Sequence, residues 1–158
     1  MIPTRRFLLP ERPEIDAVFA VIDTNVIVSA MITHDDSSPT VRVLEEALDG
    51  QIVPLFSQYL VDEYITVLSR ERFSIPKGLM SNVVAAIVSR GLRVEPDHID
   101  TCFEDPKDAP IFAIATETRN IGSYLITGNI KHYPPVDYVI TSRIASELLD
   151  LENKPDGL

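Results

Sequence analysis

Val18, Phe19, Ala20, Val21 and Ile22 form an unbroken apolar run that leads directly into Asp23, Thr24 and Asn25, and this junction constrains the fold more than any other stretch. A run so short, rich in β-branched residues and apolar on both faces, reads as a buried central strand of a parallel sheet. Asp23 then stands at the strand's carboxyl end. In open α/β sheets that edge is where ligands bind, because the loops leaving the strands form a crevice there.

Strand-like and helix-like segments alternate along the rest of the chain. Ser38 and Pro39 supply a capping hydroxyl and a first-turn proline, and Val41, Leu44, Ala47 and Leu48 follow at helical spacing until Gly50. Ile52 to Phe56 reads as a second strand, and Ser57 caps a helix striped by Leu60, Tyr64, Val67 and Leu68. Pro76 to Arg90 is a further helical pattern, with Gly91 in the place of a C-terminal cap. Leu92 to Val94 reads as a short strand, the segment around Ile111 and Ala115 as a helix ending before Gly122, Tyr124 to Thr127 and Tyr138 to Thr141 as strands, and Ser142 to Leu149 as a last helix. Such alternation implies an α/β fold: a three-layer α/β/α arrangement around a central parallel sheet of about five strands. The expected organisation is an extended arm over 1–16, with Pro3, Pro10 and Pro13, one domain over 17–152, and a loose tail over 153–158.

Composition decides which chemistries stay open. With 158 residues, 45% of them hydrophobic, the chain can bury a sizeable core. It has no stretch of roughly 18 apolar residues as a membrane span requires and no secretory signal pattern, so a cytoplasmic location without membrane association is expected. Cys102 is the single cysteine; it rules out an internal disulfide and a cysteine-rich zinc cluster, and it is expected to be partly buried and inert. The net charge of −10 and pI near 4.6 argue against holding nucleic acid by overall charge. They do not exclude a nuclease, because bound cations reverse the local field at an acidic cluster. Basic residues gather at Arg5, Arg6 and Arg12, at Arg70 and Arg72, and at Lys131 beside His132.

Several acids fall where the fold delivers side chains to the same crevice. Glu63 borders the apolar stripe of its helix, three residues after Leu60 and four before Val67, while Asp62 is expected to point away. A salt bridge or a helix-dipole contact would explain Glu63 as well as catalysis does. Asp108 precedes an apolar helix, and N-capping alone accounts for one aspartate there, but not for the accumulation of Glu104, Asp105 and Asp108. Asn129 ends a buried strand and is explained equally by a turn. Grouped carboxylates repel unless protonated or neutralised. Asp23, Glu63 and Asp108 together therefore predict a hard cation, Mg2+ or Mn2+, and the chemistry that suits such a site best is phosphodiester hydrolysis.

Four segments resemble the PIN-domain family, in particular VapC-like toxins of toxin and antitoxin pairs: Val21-Ile22-Asp23-Thr24-Asn25-Val26, Leu60-Val61-Asp62-Glu63-Tyr64, Asp105-Pro106-Lys107-Asp108-Ala109-Pro110, and Leu125-Ile126-Thr127-Gly128-Asn129-Ile130-Lys131-His132-Tyr133. The resemblance implies that Asp23, Glu63 and Asp108 are catalytic metal-binding acids, that Thr24 and Asn25 support the first of them, that Thr127 places a hydroxyl beside the site, and that Asp105 is an auxiliary acid. It further implies an Mg2+- or Mn2+-dependent endoribonuclease, a homodimer, an RNA substrate and a small antitoxin that plugs the acids with a basic side chain. Asn129 departs from the pattern, since many members carry a fourth acid there; an amide oxygen can still ligate but a second metal binds more weakly. A catalytically weak or inactive domain that binds RNA or a partner is the alternative. Phosphotransfer on a strand-end aspartate is a further class, disfavoured because no second aspartate follows Asp23 two residues on.

Overall fold

The computed structural model describes residues 17–152. The expected arm, with Arg5, Arg6 and Arg12, and the expected tail lie outside the described residues. Five strands, β1 (Val18–Ile22), β2 (Ile52–Phe56), β3 (Leu92–Arg93), β4 (Tyr124–Ile126) and β5 (Val139–Ile140), alternate with α1 (Thr24–Ile32), α2 (Pro39–Asp49), α3 (Gln58–Leu68), α4 (Lys77–Arg90), α5 (Ala109–Glu117) and α6 (Ser142–Glu152). The sheet order is β3-β2-β1-β4-β5, and every pairing is parallel. This is the three-layer α/β/α architecture that the alternation predicts.

β1 lies at the centre because it can be buried on both faces. Val21 pairs with Leu55 on one side and with Leu125 on the other, and all three are fully buried. Each such aliphatic side chain stabilises the fold by about 1.5–3 kcal/mol relative to exposure. Since β2 lies to one side of β1 and β4 to the other, the loops leaving β1 and β4 diverge at their carboxyl ends. That divergence opens a crevice at Asp23. No helix among the described residues is long and apolar enough to cross a membrane.

Three local readings differ from the sequence expectation. The segment after Asp23 is a helix, α1, which the periodicity does not announce: Val26, Ile27 and Val28 are β-branched and poor helix formers. Their burial between sheet and neighbouring helices outweighs that local preference. Gly91 follows α4 in extended conformation, φ −97° and ψ −172°, so left-handed freedom is not its purpose. A Cβ there would collide with the Pro54 carbonyl oxygen and lie 2.9 Å from that of Ile87; glycine is required because the backbones of α4 and β2 nearly touch. Cys102 is exposed in the connection between β3 and α5, where the expectation was partial burial.

The caps at Ser38, Gly50 and Ser57 form as predicted. The Ser38 hydroxyl accepts from the Thr40 N–H, and Gly50 closes α2 in the left-handed region at φ 104°. The Ser57 hydroxyl accepts from the Leu60 N–H at 3.2 Å, which fixes where α3 starts and hence where Glu63 falls.

Candidate functional site

The parallel ladder continues one residue beyond β1, with the Asp23 N–H donating to the Ile126 carbonyl at 2.9 Å. Asp23 is thereby rooted in the sheet, and α1 begins immediately after it. Its carboxylate, 5% exposed, sits at the positive end of that helix without capping it. Its Oδ2 accepts instead from Thr127 Oγ1 at 2.8 Å, from the Tyr133 hydroxyl at 2.9 Å and from Asn25 Nδ2 at 3.3 Å. One carboxylate oxygen offers about two lone pairs, which accounts for the third donor being the distant one. Asn25 also accepts from the Gly128 N–H at 2.9 Å, and a Cβ at 128 would come within 3.1 Å of that same oxygen. A side chain at 128 would press on the Asn25 amide and make it give way slightly.

Glu63 approaches from α3. Its Oε2 accepts from Thr24 Oγ1 at 2.7 Å, and among the described residues it has no cationic partner. A salt bridge therefore does not explain it. The adjacent Tyr64, fully buried, donates from its hydroxyl to the Ile22 carbonyl, pinning α3 to β1. Asp62 is exposed and accepts from Gln58 Nε2 at 2.9 Å, yet it reaches the rim of the same cleft instead of pointing clear of it.

Asp108 occupies the N-cap position of α5, but its backbone is αR (φ −84°, ψ −23°) and its side chain makes no capping bond. Capping, sufficient on paper, is not what this residue does. Its Oδ2 is buried with no hydrogen-bond donor; His132 Nδ1 stands 3.6 Å away, close enough for charge attraction but beyond a hydrogen bond. Burial, then the charges of Asp23 and Asp105, push the Asp108 carboxyl up to about 6, His132 opposing them. Asp105 is exposed and accepts the Lys107 N–H at 3.0 Å in a local turn.

Asp23, Thr24, Asn25, Glu63, Asp105, Asp108 and Asn129 all line one open cleft of about 740 Å³. Thr127 lies beneath it, fully buried, serving Asp23 from below. Asn129 gives its backbone N–H to Thr127 Oγ1 at 3.0 Å, while its side chain caps nothing. Arg70, Arg72, Lys107 and His132 face the same space. So three cationic side chains, those of Arg70, Arg72 and Lys107, share the cleft with the acids, an arrangement suited to an anionic chain laid over an acidic centre.

Tyr133 is the participant that residue-by-residue reasoning passes over. Its bond to Asp23 spans 110 positions, and an aromatic after a strand reads as core. Burial, then the Asp23 and Asp108 charges, drive its phenol far above the usual range, so it remains a donor.

Among the described residues, no three His, Cys, Asp or Glu side chains make a ready-made metal-holding group. The donor chemistry nevertheless fits a hard divalent ion. Asp108 carries a buried oxygen that no donor satisfies, and its neighbours raise its proton affinity as uncompensated acids do. Mg2+ characteristically uses one or two carboxylates and keeps several waters, so a loosely gathered set is compatible with it. Compared with known proteins, the chain matches a family model described as PIN domain over residues 20–131. No curated protein matches it.

Proposed function

The chain belongs to the PIN-domain family, whose members are generally nucleases that bind divalent metal ions, and from that premise we propose that it is an Mg2+- or Mn2+-dependent endoribonuclease, the VapC-like toxin of a toxin and antitoxin pair. The observation that carries the reading is Asp108: an N-cap aspartate that does not cap, with an unsatisfied buried oxygen, beside Asp23 and Glu63 in an open cleft.

Asp23, Glu63 and Asp108 would hold the ion, with Asp105 and Asn129 as auxiliary oxygens. The ion supplies a water of lowered pKa and offsets charge building on the scissile phosphate. The protein supplies orientation. Thr127, Tyr133 and Asn25 fix Asp23, and Thr24 fixes Glu63, so that neither carboxylate must be ordered when substrate arrives. Arg70, Arg72 and Lys107 meet phosphates flanking the cleaved bond. The same uncompensated acids favour a basic side chain from a small antitoxin, and a homodimer is part of this proposal. Family membership leaves phosphotransfer on Asp23 without support.

The experiment is cleavage of mixed single-stranded and structured RNAs with and without Mn2+ or Mg2+, comparing wild type, Asp23→Asn and Asn129→Asp. Metal-dependent cleavage, lost in Asp23→Asn and raised in Asn129→Asp, is the expected result. If no variant cleaves with any metal, the domain binds RNA or a partner without hydrolysing it. Growth arrest on expression, relieved by a small protein encoded next door, tests the toxin assignment separately.

A further inference from the structure

We infer that Tyr133 is a positioning residue for the acidic centre: its hydroxyl fixes which oxygen of Asp23 is left to take a cation and ties the start of α5 to the end of β1. The inference rests on the reading of the cleft as a metal-dependent centre, and it concerns a residue beyond the span matched by the family model, 20–131.

Geometry carries it. The Tyr133 hydroxyl donates to Asp23 Oδ2 at 2.9 Å and stands 3.5 Å from Asp108 Oδ1, so one phenol lies between two of the three central acids. With Thr127 already donating to Oδ2 at 2.8 Å, the two short bonds use the lone pairs of that oxygen. Oδ1 is the Asp23 oxygen left with accepting capacity. The phenol cannot wander: Tyr133 is 6% exposed, its ring stacks on Phe112 (centroids 6.2 Å, 27°) and meets Phe103 edge-on (6.2 Å, 71°). Phe112 belongs to α5, the helix that Asp108 precedes, so the same residue that orients Asp23 also holds the element carrying Asp108.

Tyr64 shows what a purely structural tyrosine looks like in this fold. Its buried hydroxyl donates to a backbone carbonyl, that of Ile22, and closes a main-chain account. Tyr133 sends its hydroxyl to carboxylates instead. A phenylalanine would fill the aromatic cluster equally well, so packing does not call for the oxygen. Groups that orient a metal ligand without touching the metal are worth roughly 10–100-fold in affinity.

The test uses the full chain as wild type, Tyr133→Phe and, as a control, Tyr138→Phe, whose ring also stacks on Phe112 (5.9 Å). Mn2+ affinity is read by electron paramagnetic resonance and RNA cleavage by initial rates. Tyr133→Phe is expected to bind Mn2+ about tenfold or more weakly and to lose kcat with KM for RNA unchanged, while Tyr138→Phe matches wild type. Wild-type Mn2+ affinity and kcat in Tyr133→Phe would overturn the inference and leave the metal reading standing, even if the melting temperature fell. Failure of wild type itself to bind Mn2+ would remove the metal reading, and this inference with it. Should Tyr133→Phe not fold, 3-fluorotyrosine at position 133 decides: a fluorine resonance displaced by Mg2+ supports the role, and an unmoved one refutes it.

Discussion

Asp108 is the residue where the tension of the cleft is concentrated. Its carboxyl is raised from 3.8 to about 6 in the folded protein, so between those values the native state holds a proton that the unfolded chain has released. Linkage then makes this group favour folding at low pH, and its contribution is lost as pH rises through about 6. In metal-free protein, Asp108→Asn should therefore gain on wild type as pH rises; with the pKa difference discounted for the solvent that screens this half-buried group, the gain is ~1 kcal/mol, which in a chain this size raises the melting temperature by about 2–4 °C at pH 7.5. Scanning calorimetry from pH 4.5 to 7.5 checks it; a pH-independent difference would sink the idea. Adding Mn2+ should stabilise wild type and leave Asp108→Asn little changed. At Asn129, which reaches the cleft with an uncommitted side chain, Asn129→Asp should tighten Mn2+ binding several-fold, as titration would show, because it adds a full charge to the oxygen set. Asp23 was legible from its place after an apolar run. Asp108 was half legible, since position cannot distinguish an aspartate that caps from one that does not. Tyr133 was not, because nothing local ties an aromatic to a carboxylate 110 positions away.

Strands were the most readable elements, and for a physical reason: double-sided burial leaves continuous apolar runs such as Val18–Ile22 and Ile52–Phe56. Helices announced by Ser38 and Ser57 were equally plain, their caps being local chemistry. α1 escaped notice because its residues prefer strands and only tertiary burial makes them helical. Gly91 illustrates the same limit from the other side: its position was correct as a helix stop, yet its reason is the carbonyl of Pro54. β3 begins pairing with β2 only at Leu55, and Gly91, the residue just before β3, lies hard against the main-chain carbonyl of Pro54. Gly91→Ala should cost about 1–3 kcal/mol, the usual range for forcing an extra carbon into a packed interior, measured as a lower urea midpoint. Mn2+ affinity should stay at the wild-type value, since the lesion lies at the β3 side of the sheet and Asp23 is anchored through β4.

For the whole molecule, a net charge of −10 means that nucleic acid is attracted only where cations are local. Among the described residues, Arg70, Arg72 and Lys107 on the cleft offer about three phosphate contacts from fully charged side chains. Binding to single-stranded RNA, measured with Asp23→Asn to prevent cleavage, should then weaken with salt at a slope near −2 in logarithmic units, from roughly 0.7 per contact. Replacing Arg70 and Arg72 together by glutamate should reduce that slope by about 1.4 and raise KM without altering Mn2+ affinity. A slope unchanged by the double replacement would place RNA elsewhere on the surface.

The seam between β1 and β4 has one more consequence. Asp23 and Glu63 belong to the chain before the exposed connection around Asp100 and Cys102, whereas Asp108, Thr127, Asn129 and Tyr133 come after it. A cut in that connection divides the acids as well as the polypeptide. On the activity proposed above, two co-expressed fragments would each be silent, and hydrolysis would return only when they zip together along that seam, so that the proposed RNA scission would report their reunion.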